Sequence, residues 1–247
     1  MHVRYRNTRR YFLHSATVIG TGLALGGCGG KSAVNEKSGS GTAGEGEMEV
    51  TAVEDLMREH GVLRRALFVY TETAAKLRLN PSGVPLEELQ KTAALFRAFG
   101  EDYHEKKLEE AYIFPALRKA GGPAANYVDV LIAQHQRGRE ITEYILEATK
   151  AASPGAEAAQ QLAQYLDSFV RMYRPHAARE DTVVFPAWKQ SLSAEALDEM
   201  GDKFEEIEQE QFGEDGFEKA VGQIAEIETS LGLADLGQFT APSPPAA

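Results

Sequence analysis

Two ten-residue segments, 71 positions apart, nearly repeat one another. Glu109-Glu110-Ala111-Tyr112-Ile113-Phe114-Pro115-Ala116-Leu117-Arg118 aligns with Glu180-Asp181-Thr182-Val183-Val184-Phe185-Pro186-Ala187-Trp188-Lys189, acidic pair on acidic pair and Phe-Pro on Phe-Pro. A histidine precedes each segment, His104 and His176, and two earlier histidines, His60 and His135, stand 75 positions apart. The chain therefore reads as a duplicated helix pair. Each half supplies one histidine from its first helix and a histidine plus a glutamate from its second, the pattern a four-helix bundle needs to hold two metal ions in its core.

The apolar spacing supports four helices. Leu56, His60, Leu63, Leu67 and Tyr70 recur at three and four residues and so share one helical face with the first histidine. Asn80-Pro81-Ser82-Gly83 breaks this helix, and Pro85 opens a second that runs from Leu86 through His104 towards Leu117. Gly121-Gly122-Pro123 ends it. A third helix carries Val128, Leu131, Ile132, His135 and Ile141 and stops near Ser153-Pro154-Gly155. The fourth covers about residues 156–188, with Leu162, Tyr165, Phe169 and Tyr173 facing inward. No stretch alternates with a period of two, so no sheet is expected. Short connections make neighbours antiparallel. The expected fold is all-α, an antiparallel four-helix bundle over residues 51–190. Beyond it, residues 191–232 read as a helical extension that packs on the bundle through Leu197, Met200, Phe204 and Ile207, and residues 233–247 as a disordered tail.

His176 and Glu180 are four apart, which puts both on one face pointing the same way. The first half departs from this: His104 and Glu109 are five apart, and Glu105 stands where the duplication would put a histidine. A π-bulge between Tyr103 and Glu110 would absorb the extra residue and let both reach the core. With regular α-helical bonding there, Glu105 or Glu110 would become the ligand instead. Four inward histidines and two glutamates in an ion-free bundle would leave several buried polar groups unpaired, each costing a few kcal/mol. The Phe-Pro pairs read as structural, since proline kinks the helix just past the candidate ligands.

Cys28 is the only cysteine, which excludes an internal disulfide, a thiolate zinc site, an iron–sulfur cluster and a CxxCH haem attachment. Nitrogen and oxygen ligands remain, suited to iron, manganese or zinc. The net charge is −11, and without the four arginines before Cys28 the balance is 22 basic against 37 acidic residues. Such a surface repels nucleic acid and anionic headgroups. Those arginines belong to residues 1–28, which read as a targeting segment. Thr8-Arg9-Arg10-Tyr11-Phe12-Leu13 carries a twin arginine, residues 16–27 are too short an apolar run to span a bilayer, and Leu25-Gly26-Gly27-Cys28 resembles a lipobox. The expectation is export in the folded, metal-loaded state to the bacterial periplasm and lipidation of Cys28. Gly29, not an acidic residue, follows the cysteine and favours the outer membrane. Residues 29–50 read as a flexible spacer.

His60, the His104 to Pro115 stretch, His135 and the His176 to Pro186 stretch together resemble a hemerythrin-like (HHE cation-binding) domain, over roughly residues 51–190. That resemblance implies two non-haem irons (Fe) joined by an oxo or hydroxo bridge. It makes His60, His104, His135 and His176 terminal ligands and Glu109 and Glu180 the bridges. Oxygen-carrying members have a fifth histidine at the position of Arg139, so this centre is more open or carries an oxygen ligand. The leading expectation is a lipid-anchored periplasmic di-iron protein that binds O2, NO or peroxide for sensing, scavenging or storage. The alternatives are a di-iron oxidoreductase of peroxidase or NO-reducing type, with Tyr112 and Tyr173 nearby, and a structural or interaction module.

Overall fold

The computed structural model describes residues 50–150, 154–213 and 216–245. The twin-arginine leader, Cys28 and the spacer to residue 49 lie outside the described residues. From Thr51 onward the chain forms one compact unit, helical throughout and without a strand among the described residues.

The first rod is α1 (Ala52–Leu79). The Thr51 hydroxyl caps it by accepting from the Glu54 N–H at 3.3 Å, acidic residues occupy its first turn, and Lys76 and Arg78 its last. The second rod is α-helical over α2 (Leu86–Leu95), π-bonded over Phe96–Ile113, and α-helical again over α3 (Phe114–Ala120). Gly121 and Gly122, both at positive φ, end it. After a short 3-10 turn comes α4 (Val128–Ala148), the third rod. The fourth repeats the plan of the second: α5 (Ala156–Arg179), a π segment over Glu180–Val184, and α6 (Phe185–Gln190). α7 (Ala194–Phe212), capped by the Ser193 hydroxyl, and α8 (Gly216–Ser230) then pack on the bundle.

The sequence pattern anticipates a widening between Tyr103 and Glu110; the π bonding is longer, 18 residues, and has a five-residue counterpart in the fourth rod. Both π segments end at a Phe-Pro pair, where the Phe114 N–H donates to the Glu109 carbonyl and the Phe185 N–H to the Glu180 carbonyl. Proline supplies the reason. Pro115 and Pro186 have no N–H for the carbonyl four residues back, and their rings would clash with it, so the wider i→i+5 turn is favoured just before them.

Next to the histidines the core is an aromatic stack that reaches them through Tyr173, 5.2 Å from the His176 ring. Phe169 meets Tyr70 edge-on at 5.4 Å and Phe96 at 4.9 Å, and stacks on Tyr173 at 4.5 Å. Tyr165, expected to face inward, is 40% exposed instead and pairs with Tyr144 at 4.6 Å. The buried stripe of α5 runs through Leu162, Leu166, Phe169 and Tyr173, and Tyr165 lies one position off it. The expected disordered tail also differs from the structure. Leu233 is buried, Leu236–Phe239 forms a 3-10 turn, and Phe239 meets Phe68 edge-on at 4.8 Å. Two apolar anchors on the bundle give this stretch a place to dock that its composition alone did not reveal. Among the apolar residues assigned to the face of α7, Phe204 and Ile207 are buried.

Replacing Phe169 by Ala should cost about 3–5 kcal/mol in denaturant unfolding of the metal-free protein, whereas Tyr165→Ala should stay within about 1 kcal/mol. Equal losses would mean that the α5 stripe is wrongly placed.

Candidate metal centre

Four helical rods bring His60, His104, His135 and His176 to one point in the core, each buried. The imidazoles meet in two pairs, the Nε2 atoms of His60 and His104 lying 3.0 Å apart and those of His135 and His176 3.1 Å apart. Two ligands about 2.1 Å from one ion and at right angles to each other stand about 3.0 Å apart, so each pair is spaced as two neighbours in one coordination sphere.

Glu109 and Glu180 lie between the pairs, both fully buried. Glu109 turns Oε1 to His104 Nε2 at 3.6 Å and Oε2 to His135 Nε2 at 3.3 Å. Glu180 turns Oε2 to His60 Nε2 at 3.5 Å and Oε1 to His176 Nε2 at 3.1 Å. Each carboxylate thus spans both histidine pairs with one oxygen on each. None of these four buried oxygens has a hydrogen-bond donor. Burying four acceptor oxygens beside crowded ring nitrogens is strongly unfavourable unless something cationic sits among them. Two ions, one per histidine pair and bridged by both carboxylates, would remove that cost, and this is the test by which the donor set fits a pair of metals. The wider turns do the positioning: with i→i+5 bonding between them, His104 and Glu109 reach the same point although they are five apart.

The remaining ring nitrogens are all held from outside. His60 Nδ1 meets Asp181 Oδ1 at 2.7 Å, His104 Nδ1 meets Glu59 Oε2 at 2.6 Å, His135 Nδ1 meets Glu110 Oε1 at 2.9 Å and His176 Nδ1 meets Gln134 Oε1 at 2.8 Å. An acceptor at Nδ1 fixes the tautomer that leaves Nε2 free for a metal. Glu110, the alternative ligand had the helix been regular, is instead an acceptor behind His135, and Glu59, Gln134 and Asp181 were given no role by the sequence, yet a signal existed. Each is the chain neighbour of a candidate ligand (Glu59 of His60, Glu110 of Glu109, Gln134 of His135, Asp181 of Glu180) and reaches across to another rod. The Phe-Pro phenylalanines also act here: Phe114 stacks on His135 at 5.6 Å and Phe185 lies against His60 at 5.3 Å.

Arg139, at the position of the fifth histidine of oxygen carriers, bonds Glu110 Oε1 at 2.6 Å and Glu105 Oε2 at 3.2 Å. Glu105 also accepts from the Tyr173 hydroxyl at 2.6 Å. Gly138 permits this, because a Cβ there would overlap the tyrosine oxygen. Tyr112 is not part of the site; its ring packs on Phe204 at 5.8 Å. Against the centre lies a pocket of about 10 Å3, bounded by Leu63, Arg64, Leu67, Ala177, Glu105 and Tyr173 together with His60, His104, His176 and the two glutamates. It has room for about one water-sized molecule.

Comparison with known proteins agrees with this geometry. The sequence model for the Hemerythrin HHE cation binding domain matches residues 51–188 and, in a second placement, 126–227. The chain belongs to this family. The second placement starts 75 residues after the first, the same offset that separates His60 from His135. Among curated proteins, "Uncharacterized protein Rv1995" of Mycobacterium tuberculosis (strain H37Rv) is 45% identical over 94% of this chain and 90% of its own length. "Uncharacterized protein Mb2018" of Mycobacterium bovis is similar to the same extent, 45% over 94% of this chain and 90% of its own. No solved structure matches the chain.

The charges in this HHE domain are strongly coupled. Burial pushes the His104 and His135 imidazoles towards neutrality, but Glu109 with Glu59 for the one, and Glu105, Glu109 and Glu110 for the other, outweigh it and hold both well above the ordinary histidine range. Burial likewise opposes ionisation of Glu109, yet His104 and His135 keep it well below the usual carboxylate range. Glu180 is driven well up by burial and by Glu109, and burial with the charge at His135 pushes His176 down to about 4. Ligand atoms that carry protons before a metal binds must release them to it, so affinity should rise with pH.

One turn away, buried Glu101 accepts from the Thr142 hydroxyl at 2.5 Å and faces Arg97 at 3.1 Å. Burial, then the Glu105 charge, pushes it up to about 7. A carboxyl raised on folding keeps a proton that the unfolded chain has given up. Its contribution to stability is therefore present at low pH and is lost as pH rises from about 4.5 to about 7. Glu101→Gln, which keeps the bond from Thr142, should flatten the stability profile in that window by up to roughly 3 kcal/mol in denaturant titrations of the metal-free protein. An unchanged profile would show that Glu101 stays ionised in the fold.

Proposed function

We propose that this chain is a lipid-anchored periplasmic protein with a non-haem di-iron centre that binds O2, or a related small species such as NO or peroxide, for sensing, scavenging or storage. The observation that carries the reading is the bridging arrangement: four donorless oxygens of two buried glutamates, each carboxylate spanning both histidine pairs. On this reading His60 and His104 hold one iron, His135 and His176 the other, and Glu109 and Glu180 join them. An all nitrogen and oxygen donor set suits iron, and the family supplies the expectation of a cation. The bound pair would offer open coordination positions and two electrons to a small ligand.

The surrounding residues set what can reach it. Leu63, Leu67 and Ala177 give the pocket an apolar wall, and its volume of about 10 Å3 excludes all but a very small molecule. The Glu105 carboxylate, fixed by Tyr173 and Arg139, and the Arg64 side chain are polar groups of that wall. Arg139 fills the place of a fifth histidine, which leaves one position with fewer nitrogen ligands than an oxygen carrier has. Such a centre should oxidise more readily, favouring sensing, scavenging or storage over transport. The buried phenol of Tyr173 beside the pocket supports a second reading, an oxidoreductase that turns over peroxide or NO. Repeated turnovers with an electron donor would select it over a single stoichiometric oxidation. The leader, with Arg9-Arg10 and Cys28, supports the periplasmic anchor.

Elemental analysis of the purified protein should give about two irons per chain, with a new near-ultraviolet and visible charge-transfer band when the reduced protein meets O2. His176→Ala should lose one of the two irons and, with the pair broken, the band. One metal, zinc alone or none in the unaltered protein would overturn the proposal and favour an interaction module. In cells, Cys28→Ser should release the protein from membranes and Arg9→Lys with Arg10→Lys should leave it in the cytoplasm. Membrane attachment that survives Cys28→Ser would refute the lipid anchor.

A further inference from the structure

The outer acceptors of the four histidines are related by the duplication, and they differ in one charge. His60 is held by Asp181, which in turn pairs with Arg64; its counterpart His135 is held by Glu110, which pairs with Arg139. Asp181 and Glu110 stand 71 positions apart and Arg64 and Arg139 stand 75 apart, so these acceptors and their arginines are equivalent. His104 is held by Glu59, and its counterpart His176 by Gln134, again 75 positions apart. Here the equivalence breaks: a carboxylate in the first half is an amide in the second.

We infer that this single difference makes the two metal positions unequal, with the His60/His104 position binding a divalent cation more tightly than the His135/His176 position. The inference rests on the di-metal reading of the centre. When an imidazole binds a metal through Nε2, its Nδ1–H must donate outward. A carboxylate acceptor draws that proton, raises the basicity of the ligand nitrogen and adds a negative charge; an amide oxygen accepts the same bond more weakly and adds no charge. Glu59 is 1% exposed, so water screens that charge little. It is further fixed by the Tyr103 hydroxyl at 3.0 Å, and Asp55 and Glu208 bring more acidic oxygen to its neighbourhood. The His135/His176 pair has another carboxylate near it, Glu105 of the second rod, but that group lies 3.9 Å from His135 Nδ1, beyond hydrogen-bond reach. Its oxygens are taken by Tyr173 and Arg139. It does not substitute for an acceptor on His176. Glu59 and Gln134 are thus positioning residues that act on the metal through His104 and His176.

The test is stepwise titration of the metal-free full-length protein with Zn(II) in calorimetry, and with Fe(II) anaerobically. Two ions repel each other, so two steps alone decide nothing; the variants do. Glu59→Gln should weaken the tighter step by about 10- to 100-fold, the range for loss of an outer acceptor. Gln134→Glu should strengthen the weaker step by a similar factor and leave the tighter one in place. His176→Ala should still bind one ion with the tight constant of the unaltered protein, while His104→Ala should bind its single ion only weakly. Improvement in Gln134→Glu is a gain that a merely structural role would not produce. The inference is overturned if neither isosteric substitution moves a step more than threefold, or if His176→Ala loses the tight ion and His104→Ala keeps it. If the unaltered protein binds fewer than two ions, the di-metal reading itself fails. If it binds two and the variants behave alike, only the inequality fails.

Discussion

Four buried carboxylate oxygens without donors, wedged among four ring nitrogens, are the constraint on which the rest of this bundle depends. A core of ordinary apolar packing tolerates few unsatisfied polar atoms, and here they are concentrated at one point. The arrangement makes sense only for a fold that completes itself with cations. Everything around the point serves to keep the donors aimed inward: an acceptor behind every histidine, a phenylalanine against two of them, and helical turns widened where regular spacing would turn a ligand away.

The duplication explains how one short pattern achieves this twice. Glutamate, acidic neighbour and Phe-Pro recur in the second and fourth rods. In both, the carbonyl of the glutamate takes the last i→i+5 bond from the phenylalanine before proline. The neighbours of the ligands do not serve their own rod. Glu59 precedes His60 in α1 but holds a histidine of the second rod, and Asp181 follows Glu180 in the fourth rod but holds His60 in α1. The bundle is therefore cross-braced by its own site, and the site depends on all four rods being in register. Such coupling between assembly and the centre is consistent with a protein whose metal contributes to its folding free energy.

Departures from the duplication carry the individuality of this chain. Glu105 stands where the duplication would put a histidine, and, held by Arg139 and the Tyr173 hydroxyl, it lines a pocket sized for a very small molecule. Gly138 has no side chain because the tyrosine hydroxyl occupies that space. Gln134 in place of an acid removes one charge from one half. Each change is minor in sequence and acts where the dielectric is low, so each has a large leverage on the centre.

The helices, their order and the six inward residues at the centre were legible in the sequence. Apolar spacing, Pro and Gly breaks and the repeated segment are local signals that survive without tertiary information. The one-residue excess between His104 and Glu109 even located the widened turn, though its length was not legible, since the i→i+5 register continues as far as packing and Pro115 allow. The outward face of Tyr165 and the docking of Phe239 on Phe68 were beyond reach for the same reason, because a residue's exposure depends on what packs against it. So were the partners of the histidines. Sequence determines which residues a helix face presents, because helical period is a property of the backbone. Which side chain on another rod meets a given ring nitrogen is a matter of angstroms between elements far apart in the chain, and only the packed bundle decides that Glu59 holds His104 and Gln134 holds His176.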